Sequence, residues 1–403
     1  MKPPLPRGYD CDTVNGEVLG TRLSVRDGRL ALPDGMTYRL LVLPQRETMT
    51  PQVLRKIVDL VEAGATVVGP KPSRSPSLQG HPECDREVHT LADRVWGDCD
   101  GTSVRERSFG KGRVVWGKTI EEVLRADGAP PDFEFEGRRK DADLDFLHRR
   151  LGETEIYFVS NQGDRLEEAR CTFRVAGRRP ELWDAVTGKL RAAAAFEPTD
   201  DGRTALPLDL PPRGSLFVVF REAIPPSQRG SGTGNSTALA PVLELKGPWT
   251  VAFDPRRGAP RSVEFPELVD WTARPEEGIR FYAGTATYRK SFEGPDSPAK
   301  TAGPLYLDLG ELKNLAEVRL NGTSLGVLWT KPFRAEISKA LRAGPNDLEI
   351  DIVNLWPNRL IGDQRLPEDR RTTTTNVTKF KKDSPLLPSG LYGPVRILAG
   401  AAD

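Results

Sequence analysis

The chain has 403 residues, with 58 basic against 57 acidic side chains, 29% charged and 37% apolar. That near-zero balance gives no electrostatic case for nucleic acid or an anionic membrane as partner. No apolar run approaches the ~18 residues of a membrane span, and the length is that of two or three domains with ample cores.

The start, Met1-Lys2-Pro3-Pro4-Leu5-Pro6-Arg7-Gly8, lacks the apolar core of a signal peptide and reads as a linker, as if Met1 lay inside a longer gene. Tyr38-Arg39-Leu40-Leu41-Val42-Leu43 then predicts a buried strand ended by Pro44. Thr50 caps a helix with Pro51 at its first position. Val53, Leu54, Ile57, Val58 and Val61 follow helical spacing, and Gly64 closes it. Ala65-Thr66-Val67-Val68 is the next strand, and a second helix is expected over about residues 83–95. Arg113-Val114-Val115-Trp116 is a third strand, and Thr119 opens a short helix toward Arg125. Such alternation implies a parallel, flavodoxin-like sheet over residues 1–129. The turn Gly69-Pro70-Lys71-Pro72 carries neither a nucleophile elbow nor a phosphate loop, so this α/β unit reads as a catalytically silent relative of amidotransferase-type domains.

The four cysteines, Cys11, Cys84, Cys99 and Cys171, form no Cys-x-x-Cys pair. His81, Cys84, His89 and Cys99 fit no common zinc spacing, and free thiols are expected. Asp98-Cys99-Asp100-Gly101 lacks the closing Glu of a calcium loop. No metal or cofactor is therefore assigned to this chain.

The hydrophobic period changes near Pro130-Pro131. Residues 144–150 and 155–159 predict a hairpin around Gly152, and more strands follow at 171–175, 181–184, 206–210 and 215–220. Residues 130–222 therefore read as a small β-sandwich. Residues 223–240, rich in Pro, Gly and Ser, predict a linker. From 241 to 403 the pattern is all-β again. Asn321-Gly322 joins two alternating segments as a hairpin turn, and the count of strands suggests a jelly roll. Trp249 and Trp329 read as core, and Trp271 and Trp356 as surface candidates. The sequons at Asn235, Asn321 and Asn376 are pattern only. Lys379-Phe380-Lys381-Lys382 reads as a solvated face.

One stretch stands out. After a strand ending at Val353 comes Asn354-Leu355-Trp356-Pro357-Asn358-Arg359-Leu360-Ile361-Gly362-Asp363-Gln364-Arg365, expected as a loop because Pro stops ladder pairing. Trp356, Asn358, Arg359, Asp363 and Arg365 together suit a sugar: the apolar face of the ring stacks on indole and its hydroxyls meet planar polar groups. The competing reading is a buried Trp beside an Arg–Asp network that holds the loop shut. Both stay open.

Three segments carry a family resemblance. They are Gly8-Tyr9-Asp10 through Leu32-Pro33-Asp34-Gly35 to Pro44; Pro180-Glu181-Leu182-Trp183-Asp184-Ala185-Val186-Thr187-Gly188; and Tyr288-Arg289-Lys290 through Asn321-Gly322, Gly326-Val327-Leu328-Trp329 and the Asn354 stretch to Ser384-Pro385-Leu386-Leu387-Pro388-Ser389-Gly390-Leu391. Together they resemble the C-terminal part of glycoside hydrolase family 106, the α-L-rhamnosidase-like enzymes. The last segment is also similar to the sugar-binding jelly roll of family 2 glycosidases. The resemblance implies secreted or periplasmic bacterial enzymes that hydrolyse rhamnosides in plant polysaccharides. It implies two catalytic glutamates and calcium in a (β/α)8 barrel. This chain has two or three βα units and not eight, so the barrel and its glutamates are expected upstream of Met1, and no catalytic residue is carried over. Glu311, Glu317 and Glu368-Asp369 read as solvated acidic faces. The expectation is an accessory region whose partner is a rhamnose-containing glycan or the missing barrel. A stand-alone lectin-like protein and an inactive gene remnant are the alternatives.

Overall fold

A computed structural model describes residues 5–236, 238–295, 303–376 and 378–400. Met1 to Pro4 of the proline-rich start, Thr237 and Val377 of two sequons, and residues 401–403 lie outside the described residues.

The first unit is built as its hydrophobic periods require. Leu40–Val42, Thr66–Val68 and Gly112–Val115 run parallel, with Leu41, Val67 and Val114 side by side. The helix Pro51–Ala63 starts where the Thr50 hydroxyl accepts from Val53 N, and it buries Leu54, Ile57, Val58, Leu60 and Val61 against the sheet. The helix Glu83–Trp96 ends in a fully buried Trp96, whose indole N–H donates to Gly69 O at 3.1 Å. The helix Ile120–Ala126 carries a complete Thr119–Glu122 capping box and covers the other face through Val123.

Two details differ from expectation. The run 38–43 is not one strand. Thr37–Tyr38 pairs antiparallel with Arg29–Ala31, and only Leu40–Val42 joins the parallel sheet. An apolar run carries no mark of where the chain changes sheets. The sheet also gains an antiparallel edge, Glu106–Phe109, too polar to read as a strand from sequence but suited to an exposed edge.

The second unit is a sandwich of a five-stranded and a four-stranded antiparallel sheet. Tyr157, Phe173 and Phe220 fill its centre, with Tyr157 and Phe173 edge-to-face at 4.9 Å. The expected hairpin is Leu144–Leu151 with Thr154–Asn161. The presumed linker is not free chain. Gly230 N donates to Phe196 O at 2.8 Å and Gly232 N to Ala194 O at 2.8 Å. Asn235 is buried, accepting from Ala195 N and donating to Ala195 O and Pro207 O. Its small and polar residues dock by backbone bonds, which composition does not reveal.

The third unit is a jelly roll of a six-stranded and a four-stranded sheet, with a two-stranded ladder between Glu311–Lys313 and Gly390–Gly393. Its core holds Trp249, Phe265, Trp271, Tyr288 and the inward residues of Gly344–Val353. Two tryptophan expectations fail. Trp271 is 0% exposed and its indole N–H donates to Tyr288 Oη at 2.6 Å, while Trp329 is 62% exposed just beyond an edge strand. Polar neighbours in sequence misplaced the first, and strand alternation misplaced the second. Among the described residues no sheet closes into a (β/α)8 barrel.

Candidate functional site

The six-stranded sheet presents one end where several of the singled-out residues converge. Thr285, Val353 and Leu315 lie side by side across three strands, and Ala316 pairs with Leu328 on the fourth. The chain therefore leaves the sheet at this same end through Asn314, Asn354 and Trp329. Asn314 N donates to Val353 O at 2.8 Å.

The stretch expected as a loop is a helix, Pro357–Asp363. Proline ends the ladder, as expected, but it also fits the first helical turn, where its missing N–H costs nothing. The helix is anchored by amides. Asn354 Oδ1 accepts from Gly284 N at 2.9 Å, and its Nδ2 donates to Tyr282 O at 2.8 Å. Asn358 Oδ1 accepts from Leu387 N at 2.8 Å, and its Nδ2 donates to Leu387 O at 2.7 Å and Ser389 Oγ at 3.0 Å. Ser389 N in turn donates to Asp270 Oδ1, and Ser389 O accepts from Trp271 N. This explains the Ser-Pro-Leu-Leu-Pro-Ser-Gly motif. It ties the helix to the buried Trp271, and Gly390, at φ +105°, leaves no room for a Cβ, which would stand 2.6 Å from the Trp271 indole nitrogen.

Three of the five sugar candidates are thus turned inward. Asn358, Arg359 and Asp363 are buried. Arg359 Nη2 sits 2.8 Å from Asp363 Oδ1. Asp363 also accepts from Thr373 N at 2.9 Å, Thr372 N at 3.3 Å and both hydroxyls. Burial raises the Asp363 pKa, but the Thr373 and Thr372 bonds and the Arg359 charge outweigh it and hold the carboxyl below its usual value. The network reading therefore describes these three side chains. Trp356 and Arg365 face outward. Trp356 is 50% exposed, with the Arg257 guanidinium 5.4 Å from its ring centroid. Arg365 lies over Phe281 at 5.1 Å and donates to Lys382 O. Leu355, Leu387 and Trp329 are also exposed. Asn314, Leu355, Asn358 and Leu387 line a small cavity of ≈ 190 Å³. Arg257 and Trp329 were not legible as members of this end; Arg257 arrives from a distant turn.

The acidic residues singled out in the sequence are each accounted for. Glu311 is bound to Lys331 and Glu317 to Arg319, and Glu368 and Asp369 sit in an exposed 3-10 turn. Asp100 closes its own turn by accepting from Thr102 N, Ser103 N and Val104 N. A separate buried cluster lies in the sandwich. His148 Nδ1 is 2.8 Å from Asp132 Oδ2 and its Nε2 2.8 Å from Glu155 Oε2, while the ring stacks on Tyr157 at 4.0 Å. Asp132 also accepts from Tyr157 Oη and Arg174.

Comparison with known proteins matches residues 1–197 to the alpha-L-rhamnosidase family of glycoside hydrolases. The structure superposes on the rhamnosidase of Novosphingobium sp. PP1Y with a TM-score of 0.86 and 37% identity, over 98% of this chain and 36% of that one. A putative beta-glucuronidase of Formosa agariphila is 24% identical over 97% of this chain and 53% of its own length. The chain thus spans about half of that curated relative and about a third of the solved rhamnosidase.

Proposed function

We propose that this chain, a relative of the glycoside hydrolase family 106 α-L-rhamnosidases, is a carbohydrate-handling accessory region of such an enzyme and not its catalytic part. One observation carries the reading: nearly the whole chain superposes on a rhamnosidase, yet it accounts for only 36% of that chain. Bond cleavage by inversion needs two carboxyl groups about 6.5–9.5 Å apart across one glycosidic bond, and the acidic groups singled out here are tied up in ion pairs or lie on exposed turns. The three units, residues 1–129, 130–222 and 241–403, serve in this reading as a scaffold that carries the jelly-roll end. Its exposed Trp356, Leu355 and Trp329 form a rim against a rhamnose-containing glycan or a catalytic barrel.

A second reading, a stand-alone glycan-binding protein, is favoured by one feature: the half-exposed Trp356 beside Arg257 is a stacking platform within this chain alone. Calorimetric titration of the purified chain with rhamnose-terminated oligosaccharides tests glycan handling. Binding that disappears in Trp356→Ala supports a role for this end. Binding untouched by that change, or no binding at all, removes glycan contact from it and leaves the barrel as its only proposed partner.

A further inference from the structure

Beside Trp356 stands a guanidinium, Arg257, that the fold uses only loosely. Arg257 lies over the Trp356 ring from a distant turn, next to Arg256, and Arg359 comes from the helix that Trp356 caps. Two acids, Asp254 and Asp363, pair with this group. Asp254 is held by Arg256 at 3.0 Å through both oxygens, leaving Arg257 3.7 Å away. Among the described residues Arg257 otherwise donates only to Ala283 O, at 3.2 Å. Asp363 is saturated by threonine donors as well as by Arg359.

A second observation points to a ligand. Arg359 is 6% exposed, and its buried Nε–H has no partner. Buried donors are rarely left unmet in folded proteins, so each such group calls for an explanation. Its Nη1 lies 3.9 Å from where a Cβ on Gly258 would stand, next in sequence to Arg257. Arg359 therefore packs against the turn that carries Arg257, whose own guanidinium lies over Trp356.

We propose that this end of the jelly roll selects a glycan bearing a uronate. The apolar face of the pyranose lies on the open part of the Trp356 indole, and its carboxylate turns to Arg257, whose fork suits a planar two-oxygen anion. Arg359, neutralised by Asp363, forms the floor beneath this pair. The inference rests on the glycan reading of this end and narrows it to an anionic sugar.

The test uses the full chain with glucuronate- and galacturonate-terminated disaccharides, their methyl esters and the neutral hexosides, followed by calorimetry and tryptophan fluorescence. The acids are expected to bind about 10-fold more tightly than their esters, the difference a charge-assisted pair confers. That preference disappears in Arg257→Gln, is reduced but not lost in Arg257→Lys, which keeps the charge without the fork, and shrinks as salt is raised. A melting curve for each variant separates lost binding from lost folding. Equal binding of acid and ester, a preference that survives Arg257→Gln in a folded protein, or no binding of any uronate overturns the inference. If rhamnose-terminated oligosaccharides still bind through Trp356 in that case, the broader glycan reading stands. If they too fail, both readings fall.

Discussion

Arg359 and Asp363 face each other one helical turn apart, Nη2 to Oδ1 at 2.8 Å, with side chains 7% and 3% exposed. The pair lies inside the most distinctive segment of the chain, and it serves the fold. It pins the Pro357–Asp363 helix and, through Thr372 and Thr373, the segment that follows. Removing one partner leaves the other charge buried and unpaired, which costs about 3–5 kcal/mol. Asp363→Ala should therefore lower the urea midpoint strongly. The wild-type contribution of Asp363 is present above the unfolded carboxyl pKa and is lost as pH falls through the depressed folded value. Unfolding curves across the acid range, with and without the substitution, check both points.

Trp356 and Trp271 should behave oppositely on truncation. Trp271 is fully buried and bonded to Tyr288, so Trp271→Ala should cost about 3–5 kcal/mol. Trp356 is half exposed, and Trp356→Ala should cost about 1 kcal/mol or less, close to the usual surface range. Thermal melts of the two variants side by side decide this, and a large loss for Trp356→Ala would assign it to the core.

The sandwich carries a pH response of its own. Burial opposes a charged His148, but its bonds to Asp132 and Glu155 outweigh that and raise its pKa. Burial likewise raises Asp132, yet His148, Arg174 and Tyr157 together lower it. Arg150 stands at 3.5 Å from Glu155 and adds to the cationic side. A raised histidine stabilises fully below its unfolded pKa, about 6.5, and loses that contribution as pH rises through the folded value. His148→Gln should flatten the fall of Tm on the alkaline side of that range. An unchanged slope would assign the pH response to other groups.

The exposed apolar end predicts association. Trp329, Leu355, Trp356 and Leu387 all present apolar surface to solvent near one end of the jelly roll. Sedimentation velocity should show concentration-dependent self-association of the wild type, reduced in Trp329→Ser/Leu355→Ser. A monomer at all concentrations would show that this end is content in water.

Much of the fold was legible because strong local signals agreed with the tertiary structure. Thr50-Pro51, Thr119 and Asn321-Gly322 each dictate backbone geometry wherever they stand. Several of the misreadings share one cause, partners far away in sequence. Trp271 is buried by Tyr288 and Ser389, the docked segment around Asn235 by Ala195 and Pro207, and Asn358 by Leu387. None of those contacts leaves a periodic trace. The site was half legible for the same reason. The segment was recognised, but its composition did not separate the inward Asn358, Arg359 and Asp363 from the outward Trp356 and Arg365. Arg257 arrives from about a hundred residues earlier, at 5.4 Å from the indole.

In the proposed function the chain handles sugar without cleaving it. The direct measurement is release of the aryl group from an aryl α-L-rhamnoside by the purified chain, with and without added calcium. The prediction is no turnover above the uncatalysed rate. Hydrolysis that follows the protein through purification and fails on heat denaturation would contradict it, and would place a catalytic carboxyl pair within these residues.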